Sequence, residues 1–174
     1  MYALQHPATD ARLGITSAIC AAPRTPPSLG ALASLSPRFA AGAGLMVAAA
    51  VLRMWCYRTL GRLFTFEVAI APDHELVTHG PYAWARHPSY TGGMAMVAST
   101  ALLGFGAREY VAQCAVTASR AGVLVWMWCV PAVYGVGALY RRTGVEDAKL
   151  RAKFGQTWEE YRRRVPYKLV SYVL

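Results

Sequence analysis

The sequence predicts an all-α integral membrane bundle of about three transmembrane helices, followed by an interfacial amphipathic helix near the C-terminal end. Three observations carry this expectation. Hydrophobic residues make up 55% of the 174 and charged ones 16%, with a mean hydropathy of +0.27, a balance that suits lipid better than a soluble globule. Two runs, Pro88 to Ala107 and Ala121 to Tyr140, are each 20 residues long without a formal charge. Two motif-dense polar segments, beginning at His74 and Arg141, flank those runs. Two successive spans return a chain to the side it left, so both polar segments are expected at one membrane face.

The length suits one domain. Residues 1–36 are rich in Ala, Pro and Ser, and Pro23, Pro26 and Pro27 preclude a continuous helix there. This stretch is expected to be a poorly ordered leader or the stump of a longer N-terminal region; its Arg and Ser content also resembles an organelle transit peptide. From Pro37 the chain becomes apolar and helical. Gly42 and Gly44 permit close helix contact, Arg53 is expected to snorkel to the interface, and Trp55 and Tyr57 suit an aromatic belt.

Residues 58–87 form a loop with short structured pieces, punctuated by Gly61, Pro72, Gly80 and Pro81. Pro88 suits the first turn of the second span, and Gly104 and Gly106 mark its end. Residues 107–120 connect it to the third, where Pro131 predicts a kink. Beyond it, Glu146 to Tyr161 reads as one amphipathic helix, with Leu150, Phe154, Trp158 and Tyr161 spaced by four, four and three.

Net charge is +9, and nine of the 18 Lys and Arg fall in residues 141–174. A basic tail beside a span is the cytosolic pattern, and it also meets anionic headgroups. With the tail cytosolic, three spans place 58–87 there too. That face then holds twelve Lys and Arg against two in 107–120. The basic residues lie beside spans and no nucleic-acid motif accompanies them, so no nucleic-acid partner is expected. Cys20, Cys56, Cys114 and Cys129 are far apart and form no zinc pattern, so no metal is expected and structural filler is their predicted role.

The chemistry concentrates in two places. In Arg86-His87-Pro88-x-Tyr90, Pro88 holds His87 out of the helical region and presents Arg86 and His87 at a helix mouth. Free N–H groups there favour an anionic ligand group, although Arg86 and Tyr90 could equally be interface anchors and His87 a cap. Glu146 follows Arg142 by four residues, so on a helix the two face one way. They are either an exposed ion pair or a division of labour between a cationic cofactor group and an anionic substrate group.

The whole set resembles the isoprenylcysteine carboxyl methyltransferase family over roughly residues 37–170: Gly80-x-Tyr82-x-x-x-Arg86-His87-Pro88-x-Tyr90, then Glu146, Phe154-Gly155, Trp158, Tyr161 and Val165-Pro166, with Tyr57-Arg58-x-Leu60-Gly61 and Phe64-Thr65 upstream. The resemblance implies a membrane methyltransferase domain over 37–174, without a Rossmann fold. It would bind S-adenosylmethionine through segments 64–90 and 141–166 and methylate the C-terminal carboxylate of prenylated CaaX-type proteins or peptides. It implies residence in the endoplasmic reticulum membrane, in contact with lipid, with the active site facing the cytosol. Cofactor contacts would fall on Glu67, His74, Glu75, Leu76, Val77, Tyr82, Arg86, His87, Pro88, Ser89, Tyr90 and Glu146. Arg142 falls at the substrate arginine, and Arg142 with Glu146 would carry the catalysis.

The chain departs from the family's pattern in places. Gly144-Val145 stand where acids often precede the glutamate, Val170-Ser171-Tyr172 lacks a common Pro, and eukaryotic members carry more spans upstream than residues 1–36 supply. Competing readings are a phosphatidylethanolamine-type N-methyltransferase, which needs no carboxylate clamp, a sterol reductase using NADPH, and an inactive membrane protein that keeps only the fold.

Overall fold

The computed structural model describes residues 35–64, 75–106, 110–114, 116–118, 120 and 122–170. The expected leader up to residue 34, and with it Glu67 and His74 of the anticipated cofactor contacts, lie outside the described residues. The described chain is helical, with no strand among these residues: α1 is Pro37–Leu60, α2 Pro88–Gly104, α3 Tyr110–Gln113, α4 Gly122–Phe154 and α5 Gln156–Arg164. Short 3-10 turns cover Gly61–Leu63, Gly80–Ala83 and Val116–Ala118.

Two helices are long and apolar enough to cross a membrane, one over Pro37–Leu63 and the other α4. Their apolar windows are only 17% and 6% buried, so neither is the covered core helix of a soluble protein. Val123, Leu124, Trp126, Met127, Val130 and Val133 of α4 point outward, as lipid-facing side chains do. The chain is a membrane protein. Helix α2 has 17 residues, about 25 Å at 1.5 Å per residue, which is short of a hydrocarbon core of about 30 Å.

The chain divides into two compact units. The first comprises residues 1–44 and 98–132. Here Ser36 caps α1: its hydroxyl accepts from the Phe39 N–H at 2.9 Å, and Pro37 follows at the first helical position, where no N–H is needed. Gly42 works as expected, since a Cβ there would stand 3.0 Å from Leu103 Cγ. Cys114 and Val116 pack with Val111 and Val125. Cys114 is disulfide-bonded, which corrects the expectation of a filler cysteine, whereas Cys56 and Cys129 are free thiols. Spacing alone hid this, because a disulfide joins residues close in space rather than in sequence. Helix α4 runs unbroken through Pro131.

The second unit comprises residues 45–97 and 133–174 and holds every described site residue. Arg53 sends its guanidinium to the Ser89 carbonyl at 3.4 Å and to the Tyr57 hydroxyl. Room for it comes from α2: a Cβ on Gly92 would meet Arg53 Cγ at 2.7 Å, and one on Gly93 would meet Nη1 at 2.8 Å.

The single amphipathic helix expected over Glu146–Tyr161 is not formed. Helix α4 instead continues through Glu146 to Phe154, Gly155 breaks it with φ +52°, and α5 starts at Gln156. Glycine adopts that left-handed backbone without the Cβ clash other residues meet. The break turns Trp158 and Tyr161 inward, where they pack with Val165, Leu76, Leu150 and Phe154.

Candidate active site

The site grows from the chain entering α2. After the 3-10 turn at Gly80–Ala83, Arg86 and His87 run beside the C-terminal segment. The Arg86 N–H donates to the Tyr167 carbonyl at 3.0 Å and the His87 N–H to the Lys168 carbonyl at 2.8 Å. The Thr91 hydroxyl donates to the Leu169 carbonyl at 2.6 Å. The first two bonds use backbone donors, among them that of the pre-proline residue His87, which a non-helical segment would otherwise leave unpaired. Arg86 and His87 stand at the helix mouth as expected, but they are covered by protein, with 7% and 4% exposure.

Charges inside this cover are paired, as burial demands. The Arg86 guanidinium donates to the carbonyls of Val165 and Pro166, each at 3.1 Å, lies 3.4 Å from Asp147 Oδ2, and stacks over the Trp158 ring at 6.0 Å. His87 Nε2 is 2.9 Å from Asp147 Oδ1 and its Nδ1 is 3.6 Å from Glu146 Oε2. Its ring stacks on Tyr90 at 5.6 Å, and the Tyr90 hydroxyl donates to Glu146 Oε2 at 2.7 Å. The Arg142 guanidinium lies over the same Tyr90 ring, 5.8 Å from its centre.

Tyr161 braces the turn before α2 by donating to the Tyr82 carbonyl at 2.8 Å. Burial above all pushes both phenols, Tyr82 and Tyr161, well above their ordinary range, so both stay neutral hydrogen-bonding groups at physiological pH.

Of the anticipated contacts, the structure gathers Tyr82, Arg86, His87, Tyr90, Arg142 and Glu146 around this cluster. Leu76 packs in the Trp158 cluster, Glu75 is exposed, Val77 is half-buried, and Pro88 and Ser89 form the first turn of α2. Asp147 was not singled out from sequence, yet it pairs with both Arg86 and His87. A signal for it exists: Thr143, Asp147, Leu150 and Phe154, spaced four, three and four, share the inward face of α4, and Thr143 and Asp147 are buried.

Could the anticipated cofactor be held here? The Glu146 side chain keeps 33% exposure, and Tyr90 and His87 both engage Oε2. An ionised carboxylate has acceptor sites on both oxygens, so Glu146 has capacity for the ammonium of an amino-acid moiety as well as these partners. The donor set fits S-adenosylmethionine.

Fold and site together define a helical membrane protein with a buried acid–base cluster built from two polar segments. A sequence model of the isoprenylcysteine carboxyl methyltransferase family matches residues 42–125, which include the Arg86-His87-Pro88-x-Tyr90 motif and stop short of Arg142 and Glu146. A protein-S-isoprenylcysteine O-methyltransferase of Tribolium castaneum is 30% identical over 119 residues, 66% of this chain and 35% of its own length. Protein-S-isoprenylcysteine O-methyltransferase B of Arabidopsis thaliana is 29% identical over 128 residues, 72% of this chain and 55% of its own. A Delta(14)-sterol reductase of Schizosaccharomyces pombe is 32% identical over 62 residues, 29% of this chain and 15% of its own. The chain thus spans about a third of one methyltransferase relative and about half of the other. The family model and the two methyltransferase relatives together support a place in the isoprenylcysteine carboxyl methyltransferase family.

Proposed function

We propose that the protein transfers a methyl group to the C-terminal carboxylate of a prenylated cysteine in CaaX-type proteins or peptides. The observation that carries this reading is the convergence of Tyr90, His87 and Glu146, with Arg142 over the same ring. It places a carboxylate and a guanidinium within one small cluster, one suited to a cationic ligand group and one to an anionic group. The names of the two methyltransferase relatives point the same way.

S-adenosylmethionine would supply an activated methyl group. Glu146, with Tyr82, His87, Pro88, Ser89, Tyr90 and the segment Glu75-Leu76-Val77, would hold it, and Glu67, His74 and Arg86 complete the assigned set. Arg142 would hold and orient the acceptor carboxylate, which is already ionised at neutral pH and needs no general base. Alignment of the reacting groups is then the main task of the protein, and the desolvated cluster favours a reaction in which charge is neutralised. A prenyl chain would stay in the bilayer, at about 0.8 kcal/mol per buried CH₂, which is consistent with a site on a membrane protein.

In this reading α2 is a third crossing, made short by the polar cluster at its start. The active site faces the cytosol, as the distribution of Lys and Arg suggests, and the protein resides in the endoplasmic reticulum membrane. The test is methyl transfer from labelled S-adenosylmethionine to N-acetyl-S-farnesylcysteine by the purified protein in nanodiscs. The expected result is a base-labile methyl ester. Methylation of phosphatidylethanolamine alone would replace this reading with the N-methyltransferase one.

A further inference from the structure

We infer that Asp147 is a positioning residue, which fixes His87 and Arg86 and so leaves its neighbour Glu146 to face the ligand. The inference rests on the proposed cofactor role of Glu146. Successive residues of a helix diverge by about 100°, so these two carboxylates cannot do the same job. Asp147 turns inward: its side chain is 11% exposed, with Oδ1 at 2.9 Å from His87 Nε2 and Oδ2 at 3.4 Å from Arg86. Glu146 turns toward the open side, with a 33% exposed side chain, and meets the same imidazole through Nδ1 at 3.6 Å.

His87 therefore lies between two adjacent carboxylates and is held by the inner one. An ionised carboxylate only accepts, so the hydrogen of this contact sits on Nε2. That fixes the ring plane, and the ring plane sets the stack with Tyr90, whose hydroxyl holds Glu146 Oε2. Asp147 also neutralises Arg86, whose guanidinium further meets the carbonyls of Val165 and Pro166 and the Trp158 face. Without the Asp147 charge, the carboxylate left within reach of the buried imidazole would be that of Glu146. Glu146 would be drawn inward, away from the ligand. Its ligand-facing position thus depends on a residue that touches no ligand.

The experiment combines affinity and spectroscopy on the full chain in nanodiscs. S-adenosylmethionine affinity is measured by calorimetry, without acceptor, for wild type, Asp147→Asn, Glu146→Gln and the double variant. Asp147→Asn is expected to weaken binding about tenfold, the scale of a charge-assisted contact. In the Glu146→Gln background the same change should add less than about twofold, because contacts acting through one group are not additive. The His87 ring, assigned in ¹⁵N spectra by its absence from His87→Gln, should carry its proton at Nε2 in the wild type. It should lose that single hydrogen-bonded signal in Asp147→Asn.

Full additivity in the double variant, or unchanged affinity in a folded Asp147→Asn, would overturn the inference. So would a wild-type ring protonated only at Nδ1, a result that stands even if Asp147→Asn fails to fold. Wild-type protein that binds no S-adenosylmethionine would sink the cofactor reading itself, and this inference with it. Intact wild-type binding that ignores Asp147→Asn sinks the inference alone.

Discussion

The Tyr90 hydroxyl donates to Glu146 Oε2 at 2.7 Å, tying the first turn of α2 to the C-terminal part of α4 across 56 residues of sequence. A carboxylate held this way has one oxygen fixed in place while the side chain stays partly exposed. The Arg142 guanidinium over the Tyr90 ring belongs to the same construction.

Glu146→Gln removes a negative charge and keeps the shape. Affinity for S-adenosylmethionine should fall about ten- to a hundredfold, given about 1.5–3 kcal/mol for a hydrogen bond to a charged group. Calorimetry on the purified variant checks this, and unchanged affinity would leave Glu146 as an internal partner of Tyr90 and His87.

Much of this site was legible in the sequence. Pro88 after Arg86-His87 marked a helix start, and the four-residue interval from Arg142 to Glu146 placed both on one helix, as α4 has them. Asp147 was harder to read because an acid beside an acid looks like surface charge; its partners, Arg86 and His87, lie about 60 residues away. The break at Gly155 was missed because a helical interval continues across it: Phe154, Trp158 and Tyr161 keep helical spacing even though the backbone reverses hand at one residue. The disulfide of Cys114 left no local pattern at all.

Tyr161→Phe deletes the hydroxyl that donates to the buried Tyr82 carbonyl. The expected loss is about 1–3 kcal/mol of stability, since the acceptor is left without its donor inside the protein. Reversible denaturation in mild detergent would measure it. A variant as stable as wild type would show that the bond does not brace the turn before α2.

Gly92 and Gly93 should differ in tolerance. A methyl at Gly92 meets Arg53 Cγ at 2.7 Å and the Ala49 carbonyl oxygen at 3.2 Å, the root of a side chain and a backbone atom, which have less freedom to give way than a side-chain tip. At Gly93 the nearest atom, at 2.8 Å, is Arg53 Nη1, the tip of a flexible side chain. Gly92→Ala should therefore cost about 1–3 kcal/mol, in the range of overpacking, and Gly93→Ala clearly less. Thermal unfolding of both variants in one detergent reads the order, and the reverse order would contradict this packing.

The proposed service of Arg142 to an acceptor carboxylate is tested by methylation of N-acetyl-S-farnesylcysteine and of phosphatidylethanolamine by wild type and by Arg142→Lys. Lysine keeps the charge and loses the planar fork that orients a carboxylate. The wild type is expected to form the ester and the variant to lose turnover on the order of a hundredfold, with cofactor affinity near wild type, because small misplacements of reacting groups cost that much. Methylation of the lipid amine alone, insensitive to Arg142→Lys, would contradict it.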